Sequence, residues 1–139
     1  MKQFKGFYPI DWQELSRVIR FERAKGRCER CGRPHGQVIS HLGDGRWFDP
    51  ERDLWRDGEG RAVAWIAFSD YRGRLRQTKV ILATAHLDHD PGNNRTRNLR
   101  ALCQRCHLHH DRSEHRRRRR VTYRKRRALG DLFDGPYPR

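Results

Sequence analysis

Long apolar runs are absent from this sequence. No stretch approaches the roughly 20 consecutive apolar residues that a helix needs to cross a bilayer, so we expect no membrane-spanning segment and no membrane partner. Residues 1–15 also lack the apolar core of a signal peptide. These two absences favour a protein of the cytoplasm.

Apolar residues as a whole are scarce for a chain of this size. Hydrophobic residues make up 35% of the 139 residues, and charged residues make up the same 35%. A chain of this length forms one domain with at most a small appendage, and a domain this polar buries a thin core. Such a core usually needs a crosslink to be stable.

Acidic residues are also few. Asp and Glu total 17 against 32 Lys and Arg, which leaves a formal net charge of +15. An excess of positive charge attracts polyanions, and nucleic acid is the usual polyanion in a cell. The composition therefore predicts nucleic acid as the main partner.

The positive charge is most concentrated in a predicted C-terminal tail, residues 112–139. Within it, residues 112–127 hold ten Lys or Arg and one Glu, a net charge of +9. We expect the arginine run to be solvated and disordered, or helical only when phosphates neutralise it. Its predicted role is contact with DNA of any sequence, and a tail that only confers solubility is the alternative. The predicted contact residues are Arg116, Arg117, Arg118, Arg119 and Arg120.

The four cysteines fall in two pairs, Cys28-x-x-Cys31 and Cys103-x-x-Cys106. In a chain expected in the cytoplasm, two such pairs are typical of a zinc site with four thiolates, and two disulfides are the alternative. Residues 28–32 have the form of a zinc knuckle, in which Gly32 relieves the tight turn. Zinc held by both pairs would supply the crosslink that the thin core needs.

The order of the expected elements indicates an α+β fold. A helix is predicted over 11–25, where apolar residues recur at close to helical spacing. Two apolar, β-rich segments, 62–68 and 78–87, are separated by a turn and predict a hairpin. A second helix is expected to begin at Leu99, with Asn98 as its N-cap.

The chemically active side chains concentrate after the second predicted strand. Phosphodiester cleavage needs a base for water, a cation at the phosphate, and a basic surface that holds the backbone. Strand alternation would set His86 and Asp88 on one face, and helical spacing would set His107 near His110. If the strands pack on this helix, His86 and His107 can converge on one ion and one phosphate.

One pattern unites the cysteine pairs with these polar residues: Cys28-x-x-Cys31, then His86, then Asn98, then Cys103-x-x-Cys106-His107. Its order and spacing resemble the ββα-metal motif of the HNH endonucleases, or His-Me finger nucleases. The resemblance is to the subgroup with a paired-CxxC zinc site, as in small phage and prophage members. It implies a small α+β nuclease domain over 1–111 with the knuckle at 28–32 and the ββα motif at about 78–111, followed by the basic tail 112–139.

The resemblance also implies a role for each matching residue. His86 matches the general base that deprotonates the attacking water. Asn98, or alternatively Asn94, matches the asparagine that holds the loop and orients the base. His107 matches a ligand of the catalytic divalent ion, Mg²⁺ or Mn²⁺, and the four cysteines match the ligands of a structural Zn²⁺.

One position departs from the family pattern. Many members carry Asp or His directly before the base as a second metal ligand, and here that residue is Ala85. Strand alternation favours Asp88 as the replacement, provided that the strand continues past His86. The other candidates are His89 and Asp90 in the loop and Asp111 or His110 on the helix.

These inferences predict a metal-dependent endonuclease acting on DNA in the cytoplasm of a bacterium or an infected host. The alternative is a non-catalytic, zinc-stabilised DNA-binding protein derived from such a nuclease. Ala85 favours the alternative, whereas the joint presence of His86, Asn98 and His107 favours the enzyme. By resemblance, DNA packaging in phage and restriction in hosts are the processes that would supply partners.

Overall fold

The computed structural model describes residues 11–133. A first helix, α1 (Trp12–Arg17), continues as π-helical turns over Val18–Arg23. The other elements follow in chain order: β1 (Val38–His41), β2 (Trp47–Asp49), β3 (Leu54–Arg56), β4 (Ala62–Val63), α2 (Phe68–Tyr71), β5 (Arg76–Lys79), β6 (Leu82–His86), a 3₁₀ turn (Thr96–Asn98), β7 (Leu99–Cys103) and α3 (Gln104–Phe133). The predicted α+β class and the N-terminal helix are confirmed.

The strands of residues 11–133 form two antiparallel sheets. One sheet has five strands in the order β4-β3-β2-β1-β5. The other is a two-stranded hairpin of β6 and β7, in which Leu82 lies opposite Cys103 and His86 lies opposite Leu99. Because α3 follows β7 directly, the hairpin carries its helix at the Cys103 end.

The segment after Asn98 is a strand, so the predicted helix start at Leu99 is wrong. Leu99, Ala101 and Cys103 alternate along β7 and are each at most 1% exposed, which is the period of a strand with one buried face. Pairing with β6 satisfies the backbone of this segment. The helix begins at Gln104, and Asn98 ends a 3₁₀ turn instead of capping it.

The predicted hairpin between 62–68 and 78–87 is also wrong. Only Ala62–Val63 of the first segment is a strand, and the chain then enters the short helix α2. Ala62 and Trp65 are exposed in this segment, so its apolar run has no continuous buried face. β5 pairs with β1 instead.

Residues 78–87 are divided between the two sheets as β5 and β6. At the junction the Ile81 N–H donates to Oε1 of Gln104 at 3.1 Å, and the Leu82 N–H donates to Nδ1 of His35 at 3.0 Å. Side-chain acceptors thus replace a neighbouring strand where the chain passes from one sheet to the other.

The main core surrounds the four cysteines and joins the two sheets to α1. Its members are nearly all apolar and buried: Ile19, Cys28, Cys31, Ile39, Trp47, Val80, Leu82, Ala85, Leu99, Ala101, Leu102, Cys103 and Cys106. A smaller cluster on the other face of the five-stranded sheet is formed by Leu42, Trp55 and Ile66. Two small clusters in place of one large core match the thin core that the composition predicts.

Polar contacts attach the N-terminal helix to the β6–β7 hairpin. The hydroxyls of Ser16 and Thr84 share a hydrogen bond of 2.8 Å. The Arg23 guanidinium donates to the carbonyl of Leu99 at 2.5 Å and to that of Thr96 at 2.9 Å. These bonds fasten α1 to β6 and the π-helical turns to the end of the hairpin where Leu99 lies opposite His86.

Helix α3 continues without a break across the predicted boundary between residues 111 and 112. The expectation of a disordered arginine run is wrong, because residues 112–133 belong to the helix. The expectation of solvation is confirmed, since Arg116–Arg120 are all exposed. Pairs one turn apart support the helix, such as Arg118 Nε with Glu114 Oε1 at 2.9 Å.

Among the helices of residues 11–133, none combines the length and the apolar character needed to cross a membrane. The signal-peptide prediction rests largely on residues 1–10, which lie outside the described residues. The last six residues of the predicted tail, 134–139, lie outside them as well.

Two histidines of the fold accept a backbone hydrogen bond at Nδ1, so this nitrogen carries no proton in the folded protein. The Leu82 N–H donates to Nδ1 of His35, and the Gly43 N–H donates to Nδ1 of His41 at 3.2 Å. Burial, with a smaller effect of nearby cations, lowers the pKa of both imidazoles.

This lowering predicts a loss of stability in mild acid. The unfolded chain takes up these protons near pH 6.5, before the folded chain does. The stabilisation is therefore complete above about pH 6.5 and declines as the pH falls through the lower folded-state pKa values. Thermal unfolding of wild type and of the His35→Gln/His41→Gln variant, followed from about pH 8 to about pH 5.5, tests this. The variant should lose less stability, and an equal decline in both proteins would contradict the prediction.

Candidate metal centre and active site

Four buried cysteine side chains meet where the knuckle, β7 and α3 come together. Their Sγ atoms all lie within 4.8 Å of one another, and those of Cys31 and Cys103 are 3.6 Å apart. Thiolates around tetrahedral zinc lie about 3.8 Å apart, whereas disulfide sulfurs lie about 2.05 Å apart. All four thiols, Cys28, Cys31, Cys103 and Cys106, are free, so the disulfide alternative is wrong. These cysteines could hold a zinc ion.

The knuckle is built so that it faces the second cysteine pair. The Gly32 N–H donates to the carbonyl of Cys28 at 2.8 Å, and Gly32 has a φ of +78°, which only glycine adopts without strain. The Glu29 N–H donates to the Ala101 carbonyl at 2.9 Å, and the Ala101 N–H donates back to Oε2 of Glu29 at 2.7 Å. The knuckle is thereby fastened to β7 two residues before Cys103.

A second cluster lies at the other end of the β6–β7 hairpin. His86 ends β6, His89 follows in the loop, and His107 and Asp111 project from α3 into the same cleft of about 150 Å³. Pro91, His115 and Arg118 complete the cleft wall. Two of the predicted site residues that are distant in sequence, His86 and His107, therefore share one open cavity.

His86 is held in a defined orientation by two neighbours. Its Nε2 lies 2.9 Å from Oδ1 of Asn94, and its ring stacks on Trp12 with centroids 5.1 Å apart and planes 13° apart. The Asn94 amide nitrogen donates to the Pro91 carbonyl at 3.2 Å, which leaves Oδ1 as the acceptor toward His86. Nε2 therefore carries the proton, and the basic lone pair of the neutral imidazole lies on Nδ1.

Asn98 and Asp88 hold the loop together and do not line the cleft. Asn98 Nδ2 donates to Oδ1 of Asp88 at 2.8 Å, and the Asp88 N–H donates to Oδ1 of Asn98 at 3.2 Å. The Asp90 N–H, with the amides of Asn93 and Asn98, lowers the pKa of Asp88 to about 2. Because β6 ends at His86, strand alternation no longer directs Asp88 to the face of His86.

Asp111, and not Asp88, is the carboxylate that lies in the cleft with His86. Its Oδ2 lies 3.3 Å from Nε2 of His107, and its Oδ1 lies 3.3 Å from Nδ1 of His89. Ligand atoms of His89, His110 and Asp111 all lie within 4.8 Å of one another. The carboxylate therefore bridges two imidazoles at the edge of the cleft, and imidazole with carboxylate is a suitable donor set for a divalent cation.

His89 reaches this cluster through an uncommon backbone conformation. Its φ is +60°, a region that costs a residue with a Cβ about 1–2 kcal/mol. A hydrogen bond from its N–H to the His86 carbonyl at 3.2 Å closes the turn, and its ring stacks on His110 at 4.5 Å. Strain of this kind is concentrated at functional sites in proteins.

Positive charge lies along the same helix, directly beyond the cleft. Arg118 lines the cleft itself and forms an ion pair with Glu114. Arg118, and to a smaller extent Arg117, lowers the pKa of the Glu114 carboxylate. The neighbouring predicted contact residues, Arg116, Arg117, Arg119 and Arg120, are exposed. A polyanion that follows α3 from these arginines would enter the cleft.

Apart from the cysteines and the exposed arginines, the predicted site residues fall into two groups. His86, His89, His107 and Arg118 meet at the cleft, whereas Asp88 and Asn98 stay within the loop. Sequence reasoning missed Trp12 as the residue that stacks on His86, because nothing in a sequence relates the first helix to the end of β6. Sequence reasoning also ranked Asn94 below Asn98. Asn94 closely follows the Pro91-Gly92 turn, and in the structure its side chain reaches back to His86 at the end of β6.

No family model, curated protein or solved structure matches the chain.

Proposed function

We propose that this protein is a metal-dependent endonuclease of the HNH type that hydrolyses phosphodiester bonds of DNA. One observation carries the proposal: an oriented imidazole, His86, shares a small open cleft with the carboxylate–imidazole cluster of His89, His107 and Asp111. A base beside a candidate cation site is the arrangement that phosphodiester hydrolysis requires.

His86 acts as the general base in this proposal. Its basic lone pair lies on Nδ1, because Asn94 accepts from Nε2 at 2.9 Å. Stacking on Trp12 restricts rotation of the ring. An imidazole held in one orientation can act as a general base toward water.

His107 and Asp111 would hold the catalytic cation, with His89 or His110, whose ligand atoms lie within 4.8 Å of those of Asp111, as the further ligand. Their donors are imidazole nitrogens and carboxylate oxygens, which suit Mg²⁺ or Mn²⁺. When bound, such a cation supplies stabilisation of the negative charge on the phosphate and on the leaving oxygen. Asp111 then takes the place of the second metal ligand, Asp or His, that many family members carry at the position of Ala85.

DNA would be held mainly through its backbone by the arginines of α3. Arg118 lies in the cleft wall, and the flanking arginines are exposed. Contacts of this kind are independent of base sequence and weaken steeply with salt.

Zinc bound by the cysteines would be structural in this proposal. Four thiolates fill a tetrahedral site and leave no position for water. The centre lies at the Cys103 end of the hairpin, and the catalytic cleft lies at the His86 end.

A non-catalytic DNA-binding protein is the second candidate, and Ala85 favours it. Ala85 is 2% exposed and packs in the core, so the residue that precedes the base adds no ligand. In that case the cleft would keep its shape without cutting DNA.

Plasmid cleavage separates the two candidates. The assay uses supercoiled DNA with Mg²⁺, with Mn²⁺ and without added divalent ion, on protein whose zinc content has been measured. We expect wild type to cut only with added ion, His107→Ala to cut about 100-fold more slowly, and His109→Ala, an exposed neighbour outside the cleft wall, to cut normally. Zinc-loaded wild type that binds DNA but cuts under neither ion would contradict the proposal and support the second candidate.

A further inference from the structure

Three arginines from separate parts of the chain converge on the turn between β1 and β2. The turn is residues 42–46, and the arginines are Arg33 after the knuckle, Arg76 at the start of β5, and Arg105 in the first turn of α3. We refer to them as the arginine triad. It lies away from the catalytic cleft, because Arg105 and His107 are two residues apart on α3 and so project from nearly opposite sides of the helix.

The distances show how closely the arginine triad surrounds this turn. Arg33 Nη2 lies 3.4 Å from the Gly45 carbonyl oxygen, and Arg105 Nη2 lies 3.5 Å from that of Asp44. A Cβ at Gly45 would be only 2.6 Å from Arg105 Nη2, and one at Gly43 would be 3.7 Å from Arg76 Nη1. Gly45 therefore permits an approach of Arg105 that a Cβ would obstruct, whereas a Cβ at Gly43 would only be in van der Waals contact with Arg76.

Among the side chains that the structure describes, no carboxylate forms an ion pair with a member of the arginine triad. The one carboxylate of the turn, Asp44, is engaged by Arg46 at 2.7 Å. Arg33 is only 5% exposed, and its buried Nε has no hydrogen-bond partner in this part of the chain. A buried cation without a counter-charge is costly, and proteins rarely retain one without a partner.

The arginine triad also affects the pKa of the neighbouring His41. The Nε2 atom of His41 lies 2.8 Å from Oγ1 of Thr78 in β5. Burial lowers the pKa of His41 most, and Arg33, Arg76 and Arg105 each lower it further. All three arginines therefore lie close enough to His41 to act on its charge.

We infer that the arginine triad is a binding site for a phosphate group, distinct from the catalytic cleft. Guanidinium groups bind phosphate oxygens through pairs of parallel N–H donors, and three of them around one turn can enclose a tetrahedral oxyanion. The phosphate is either free inorganic phosphate or a phosphodiester of a nucleic-acid backbone. The inference does not depend on whether the protein cuts DNA.

Thermal unfolding in phosphate tests the site on the full, zinc-loaded chain. Tm is measured as sodium phosphate replaces sodium chloride at constant ionic strength, which gives an apparent Kd for phosphate. Arg76→Gln and Arg105→Gln should each raise this Kd about tenfold or more. Arg52→Gln, with the same change in charge at an exposed turn, should leave it unchanged. Arg76 is exposed and is far in sequence from the cysteines, so its variant stays informative if Arg105→Gln fails to fold.

A second titration identifies the source of the phosphate. Binding of a short DNA duplex is measured at several salt concentrations without added divalent ion. If the backbone occupies the site, Arg76→Gln lowers the salt slope by about one relative to Arg52→Gln. If free phosphate is the ligand, the two variants bind DNA equally and only the phosphate titration separates them. Equal behaviour of both variants in both titrations would overturn the inference.

Discussion

We expect His86→Ala to cut DNA about 10²–10⁴ times more slowly than wild type, which is the usual contribution of a general base. The alanine variant should still bind DNA and zinc, because His86 is only half-buried and is not one of the four clustered cysteines. The measurement is the initial rate of plasmid cleavage in Mg²⁺ with saturating protein. Undiminished cleavage by a folded His86→Ala protein would rule out the base role.

Asn94 provides a sharper form of the same test. It accepts from Nε2 of His86 at 2.9 Å, and so it positions the base without touching the reacting atoms. Asn94→Asp keeps the shape but adds a negative charge, which would stabilise the imidazolium. We therefore expect the acid side of its pH–rate profile to move to higher pH. A variant with a merely structural defect would lower the rate equally at every pH.

Removal of zinc, or Cys31→Ser, should abolish the cooperative folded state. The cysteines form the centre of the main core, and Cys31 is fully buried. Zinc binding to four thiolates contributes about 10–16 kcal/mol in small zinc domains, whereas the whole stability of a domain is about 5–15 kcal/mol. The free energy lost with the ion therefore exceeds the free energy of unfolding that so thin a core can provide.

Thermal unfolding with and without a zinc chelator measures this loss. Chelated protein should lack a cooperative transition, and one equivalent of Zn²⁺ should restore it while excess Mg²⁺ should not. The zinc content of purified wild type should be one ion per chain. A native Tm in metal-free protein or in Cys31→Ser would show that the cysteines stabilise the fold by packing alone and not by binding zinc.

Local sequence signals were reliable where neighbouring residues decide the outcome. The two cysteine pairs predicted one centre, and their sulfur atoms indeed meet. The first helix lies where its apolar spacing predicted it. Both signals depend on short spacings, which the chain preserves in any fold.

The predictions were wrong where the secondary structure of a segment depends on the strand with which it pairs. Leu99–Cys103 contains good helix formers and was predicted to be helical, but pairing with β6 makes it a strand. Residues 78–87 read as one strand, but Gln104 and His35 provide acceptors that let the chain change sheets. Neither partner is visible from the segment itself.

The sequence by itself determined that this chain is a small, basic α+β protein whose cysteines belong to one cluster, because composition and short spacings suffice for those conclusions. The active role of His86 and His107 stays a prediction, which rests on the resemblance to the HNH endonucleases. Only the tertiary structure decided that Asn94 orients His86, that Asp111 and not Asp88 faces His89 and His107, and that three arginines surround one turn. These last features depend on where a strand ends and which elements pack together, and such long-range contacts are set by the whole fold and not by any one segment.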